Sequence, residues 1–197
     1  MPSPQVIKGV DKRGLPLRGL KVGKITELTM QYKVKPGHEK LIRAAIENFC
    51  TEKDPNRSGE HAVVATGIQE MRLILIDNDT RLIWMTSFDT DWDTYIDDTI
   101  AITGTPKYGR VLMHIVEAPE GIEKPDLPNA SNVVKDLFNA HRFEAAGILM
   151  TFGNLSVGEV FRSSKVSRAF DEVLKNPKAA EALQHPALAP LLELAAD

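Results

Sequence analysis

Residues 69–88 read QEMRLILIDNDTRLIWMTSF. Two apolar runs flank Asp77, Asn78, Asp79 and Thr80, whose side chains suit a tight turn, so the stretch predicts an antiparallel hairpin. The first run decides the fold. Met71, Leu73 and Leu75 alternate with Arg72, Ile74 and Ile76, so both faces of that strand carry apolar side chains. A sheet covered by helices on one side only would leave such a face as a patch that soluble monomers avoid. A second copy packed face to face covers it at least structural cost and encloses a cavity, which predicts a homodimer.

Working outward, TELTMQYKV (26–34) alternates: Leu28, Met30, Tyr32 and Val34 share one face, and Glu27, Thr29, Gln31 and Lys33 the other. KPGHEKLIRAAIENFC (35–50) then places Leu41, Ile42, Ala45, Ile46 and Phe49 at helical spacing. Residues 54–67 read as a loop in which HAVVAT (61–66) adds a short strand. Past the hairpin, Trp92, Ile96, Ile100 and Thr103 form the stripe of a helix beginning near Asp91. GRVLMHIVEAP (109–119) fits a strand or a continued helix, with helix favoured, and 119–130 is a connecting loop. SNVVKDLFNAHRF (131–143) is helical, EAAGILMTFG (144–153) reads as a strand, and SVGE (156–159) is a capping box opening a helix to about Lys175. Two short helices finish the chain. This order predicts an α+β fold: a ferredoxin-like, four-stranded antiparallel sheet with helices on one face. Residues 1–23 form an extended arm, 24–154 the domain, and 155–197 a helical extension.

A net charge of −3 and a pI near 6.0 give no standing attraction for nucleic acid or an anionic membrane. No run approaches the 18 or so apolar residues of a membrane span and no signal-peptide core opens the chain, so a cytoplasmic protein is expected. Cys50 is the single cysteine, which excludes an internal disulfide framework and a cysteine-only zinc site; its helical setting predicts burial. His38, His61, His114, His141 and His185 show no metal-ligand spacing, so no metal is expected.

FDTDWDTYIDD (88–98) crowds five aspartates together. A calcium loop starting at Asp89 needs Gly and Glu where Thr94 and Ile100 stand. Capping of the helix start accounts for Asp89, Asp91 and Asp93, while Asp97 and Asp98 face either a pocket or solvent. His114, within VLMHIV, is a hydrogen-bonded core histidine or a catalytic group. Arg72 needs a carboxylate such as Glu27, or an anionic ligand, if enclosed. Thr29 and Gln31 point away from the helix-packed face, toward the expected cavity. On the second strand of the hairpin Trp84 alternates with Met85 and Ser87, and either set fits a pocket wall or the core. Phosphate-loop and nucleophile-elbow patterns are absent.

VKPGHEKLIRAAI (34–46) and RLIWMTSFDTDWDTYIDD (81–98) resemble strand–helix joints of the dimeric α+β barrel superfamily, and LSVGEVFRSSKVSRAFDEVL (155–174) is similar in character. The likeness covers about residues 24–105. That superfamily includes small monooxygenases, chlorite dismutases and dye-decolourising peroxidases. The resemblance implies a face-to-face dimer enclosing a pocket and oxidative chemistry on an apolar or aromatic metabolite, with haem in some members. Under it His114 is general base or haem ligand, Arg72 orients an anionic group, and Gln31 with Trp84 shapes the cavity. The competing classes are a non-catalytic ligand-binding module and an interaction protein docking through its tail.

Overall fold

The alternating stretch lies, up to Lys33, in the central strand of an antiparallel sheet. The computed structural model describes residues 3–195, apart from 7, 9, 11, 15, 17, 18 and 53–58, as two compact units, 1–157 and 158–197. The first unit is α+β. Its strands are β1 (Gln5–Val6), β2 (Leu20–Val22), β3 (Ile25–Lys33), β4 (Ile68–Ile76), β5 (Arg81–Phe88) and β6 (Arg142–Phe143). β4 and β5 form the expected hairpin around Asp77, Asn78 and Asp79, all at positive φ, a conformation that Asp and Asn tolerate better than other side chains. The order is β1-β2-β3-β5-β4, with β6 also paired to β3.

The sheet therefore has six strands among the described residues, not four. Two of them come from the arm, which was expected merely to be extended. β2 occupies the free edge of β3 at Ile25 and Thr26, and β6 reaches that edge only at Thr29 and Met30. This explains why EAAGILMTFG is no strand: the edge it would pair with is largely taken. Residues 144–155 instead run as an irregular strap.

Five helices of the first unit are α1 (Glu39–Thr51), α2 (Glu60–Thr66), α3 (Trp92–Thr103), α4 (Thr105–Leu112) and α5 (Ala130–His141). HAVVAT thus lies in a helix rather than a strand, ended by Gly67 at φ +67°. α4 carries the favoured helical reading of 109–119 only to Leu112; Ile115 then bridges Val34. One face of the sheet (Leu28, Met30, Tyr32, Leu82, Trp84, Phe88) packs with Ile42 of α1, Trp92 and Ile96 of α3, Tyr108 and Leu112 of α4, and Phe138 of α5 into one core. Trp84 is 1% exposed and lies among the rings of Phe49, Tyr108 and Phe138. It is part of that core. Cys50 is exposed rather than buried, since Ile42, Ile46 and Phe49 form the inward stripe of α1.

The second unit holds most of α6 (Val157–Leu174), which matches the helix expected after the capping box, followed by α7 (Ala180–Leu183) and α8 (Ala189–Ala195). Its two short turns are local: Asn176 Oδ1 accepts from the Lys178 amide, and His185 Nδ1 accepts from the Ala187 amide. No helix among the described residues is long and apolar enough to cross a membrane.

Candidate functional site

Strand register places the chemistry on the sheet face turned away from the helices. Glu27 pairs with Ser87, which pairs with Glu70; two residues along, Thr29 pairs with Met85, which pairs with Arg72. Alternation puts all six side chains on that face. The strap crosses above them. It leaves β3 at the Thr29–Phe143 pair, is held where Gly153 O accepts from the Lys24 amide (2.7 Å), and is tied to the far edge where Gln69 Nε2 donates to Leu155 O (3.0 Å). The Val157 amide then donates to Asp89. Gln69 is the residue skipped in the register of β4, a bulge that releases its side chain for this role. Gly23, at φ +61°, makes room for the strap, because a Cβ there would run into Gly153 O.

Between strap and sheet lies a cavity of about 270 Å³, lined by Glu27, Glu70, Arg72, Met85, Thr86 and Ser87 from the sheet and by Ala145, Gly147, Ile148, Leu149 and Met150 from the strap. Glu27 is 5% exposed. Its Oε1 accepts the Thr29 hydroxyl, while its buried Oε2 has no hydrogen-bond partner. Burial pushes the Glu27 carboxyl above its ordinary range. The Thr29 hydroxyl and the Leu20 amide moderate that rise, and the charge of Glu144 adds to it. Arg72 is paired with Glu70 and not with Glu27, as their side chains stand two apart on one strand edge.

Three of the expected pocket residues, Arg72, Met85 and Ser87, line this cavity together. Thr29 lies beneath it, bonded to Glu27. Gln31 shares the face but sits one pair further along, opposite Ile83. Trp84 and His114 are elsewhere. His114 follows α4, half-buried, and its Nδ1 lies 3.0 Å from Nδ1 of His38, which is also half-buried. Burial lowers the His114 pKa, and the neighbouring His38 and Lys35 lower it further. His114 also lines a groove of about 540 Å³ between α1 and α4, whose cations are already engaged: Arg110 pairs with Glu52 at 2.6 Å, and Lys107 sits 5.2 Å from the Phe49 ring centroid.

The aspartate stretch ties the fold together over long distances. Asp91 is the N-cap of α3 by position, yet its side chain makes no capping bond. Asp93 and Asp97 both bind the buried ammonium of Lys135 on α5, at 3.0 and 2.7 Å, and Ser131 donates to Asp97. Burial opposes the charge of Asp97, but the Lys135 and Ser131 hydrogen bonds outweigh it and hold the carboxyl below its usual value. No group of three or more metal-ligating side chains occurs among the described residues.

Two residues that sequence reasoning missed stand out. Glu27 was visible on the cavity face of β3 but was assigned to neutralise Arg72. His38 sits at a helix start, and only the return of the chain after α4 brings a second imidazole to it. Compared with family models, curated proteins and solved structures, the chain matches none.

Proposed function

We propose that this chain is an enzyme acting on a small molecule held between the strap and the sheet, with Glu27 as its general acid–base. The observation that carries the reading is a buried carboxyl with one unpartnered oxygen facing a cavity. A carboxyl held above its ordinary pKa keeps a proton closer to neutral pH and is a stronger base once it loses it. Oε2 takes a proton from a bound C–H, N–H or O–H and returns it to another atom of the same ligand, while the Thr29 hydroxyl steadies Oε1. Met85, Ile148 and Met150 supply an apolar wall, which suits an apolar or aromatic metabolite. A binding module without chemistry would use the same cavity and the same acid to hold a ligand; turnover that is lost in Glu27→Gln is what distinguishes the two.

The ferredoxin-like subunit and the face-to-face dimer belong to this proposal. The path β6-β3-β5-β4 through the sheet supports the first. Supporting the second are Ile74, Phe143, Leu149 and Phe152, which are 37%, 39%, 83% and 64% exposed, as a partner would cover an apolar surface of this kind. Haem, implied by the superfamily resemblance, does not fit the residues present. Among the described residues no histidine, cysteine or tyrosine lines the cavity, and its methionines, Met85 and Met150, have no histidine beside them to complete a haem ligand set. Near His114 the charge of Lys35 disfavours a cationic metal centre.

The test is a ¹³C NMR titration of the Glu27 carboxyl in the full-length protein, before and after adding hits from a fragment screen. A midpoint above the ordinary glutamate range that moves on adding hits supports the reading. An ordinary midpoint indifferent to every hit rejects it. Sedimentation tests the dimer separately: a lone chain at micromolar concentration removes the partner as the lid and leaves Glu27 where it is.

A further inference from the structure

Resting on that reading, we infer that the strap cavity selects a small molecule carrying a protonated amine, bound through its ammonium group to Glu27 Oε2. Three observations lead to a cation. First, Arg72 is held by Glu70, and Glu27 Oε1 by Thr29. Among the described residues lining the cavity, Oε2 is a buried side-chain oxygen without a hydrogen-bond donor. Second, the ionisable groups acting there are three carboxylates, Glu27, Glu70 and Glu144, against the single guanidinium of Arg72, so the local field is negative. An anionic ligand would meet that field, and the one cation there is shared with Glu70. Third, a neutral donor such as an alcohol supplies a hydrogen bond to Oε2 but leaves a buried carboxylate without a counter-charge, whereas an ammonium supplies both.

Size and wall chemistry set the remainder of the ligand. About 270 Å³ lies just below the roughly 300–1,000 Å³ of pockets for drug-sized compounds, which points to a compact metabolite. Met85, Ile148 and Met150 face it with flexible apolar chains, fitting a short aliphatic or single-ring body behind the amine. Binding of the cation requires Glu27 ionised. Affinity therefore rises with pH through the Glu27 titration, and below it each amine bound releases one proton from Glu27.

Hexylamine, hexan-1-ol and hexanoate share one carbon skeleton and differ in the head group, which makes them a direct test by isothermal titration calorimetry on the full-length protein. Hexylamine should bind at least about tenfold tighter than hexan-1-ol, from the gain of a hydrogen bond to a charged group. At acidic pH, titrations in two buffers of different ionisation enthalpy should show net proton release. Glu27→Gln, which keeps the shape and removes the charge, should abolish the preference for amine over alcohol. Arg72→Gln should leave amine binding intact or strengthen it. If hexanoate binds best, or Glu27→Gln leaves the amine preference unchanged, the amine assignment is overturned. If none of the three binds at millimolar concentration it is overturned as well; in each case the titration of Glu27 itself decides whether the acid–base reading survives.

Discussion

Replacing Lys135 with methionine tests whether the aspartate stretch is a structural tie. Methionine nearly matches the lysine stem in volume, so packing is kept and the charge is lost. Lys135 has 5% of its side chain exposed, Asp93 has 11% and Asp97 has 44%. Removing one partner from a buried ion pair costs about 3–5 kcal/mol, chiefly because the other charge is left without compensation. Asp97 is open enough to be rehydrated, and Asp93 keeps the Lys12 amide at 2.9 Å, so the lower end, about 3 kcal/mol, is expected. For a domain of this size that corresponds to a fall of about 6–12 °C in Tm. Trp84 and Trp92 both lie in the core of the first unit, so tryptophan fluorescence during urea unfolding reports on that unit alone. Adding Asp93→Asn to Lys135→Met should recover about 1–2 kcal/mol, since the second change removes the charge stranded by the first. A single variant within about 0.5 kcal/mol of wild type would falsify the ion-pair account.

Trp84→Ala should cost about 3–5 kcal/mol by urea unfolding, as expected for an aromatic residue in a packed core; a cost under about 1 kcal/mol would return Trp84 to the surface of a ligand site. Gly109→Ala should destabilise despite the roughly 1 kcal/mol by which helix propensity favours alanine. Its Cβ would strike the backbone of Ile122 and Glu123, which cannot swing aside, and a stabilised variant would show that the 119–124 loop packs differently. For His114 the native pKa lies below the ordinary 6.5, so the unfolded chain takes up the proton first as pH falls. Stability is full above pH 6.5 and declines through the native pKa, and His114→Asn should flatten that decline between pH 7.5 and 5; equal slopes for the two proteins would refute it. Glu27→Gln should raise Tm at pH 7. Here the native pKa is raised above 4.5, so the penalty of ionising the buried acid appears as pH climbs past that value, and an unchanged Tm across that range would argue against burial.

Period-two alternation in residues 26–34 and 69–88 was enough to read the hairpin and to turn Thr29 and Gln31 away from the helices, but it left open whether Trp84 or Met85 and Ser87 share their face, which the pairing of β5 with β3 decides. The unread parts depend on partners distant in sequence. EAAGILMTFG has strand composition, and its fate turns on whether an edge of β3 is open, which residues 20–22 decide. Lys135 looks like an ordinary polar residue on a helix; its burial follows from two aspartates about forty positions earlier, arranged one turn apart on α3. His38 and His114 are 76 residues apart and meet because the chain after α4 returns to the end of β3. HAVVAT has β-branched residues but sits beside a capping glycine, and tertiary packing overrode the weak local preference.

The geometry of β3 also separates the two sets of chemical groups that a single active site was expected to combine. His114 O accepts from the Lys35 amide at 2.8 Å, at one end of this strand, and Glu27 lies eight positions back along it. At about 3.3 Å per residue these points are roughly 26 Å apart, beyond the reach of any two side chains on one small ligand. They are also served by different surfaces, His114 by the groove between α1 and α4, Glu27 and Arg72 by the strap cavity on the other side of the sheet. Among the described residues lining the strap cavity there is no imidazole for a reaction at Glu27 to exchange protons with, and the side chain bonded to it is the neighbouring hydroxyl of Thr29. The consequence is kinetic: if turnover is found, its pH profile should follow a carboxyl raised by burial. A profile that loses its acid limb in His114→Asn, and keeps it in Glu27→Gln, would move the chemistry to the helix side of the sheet.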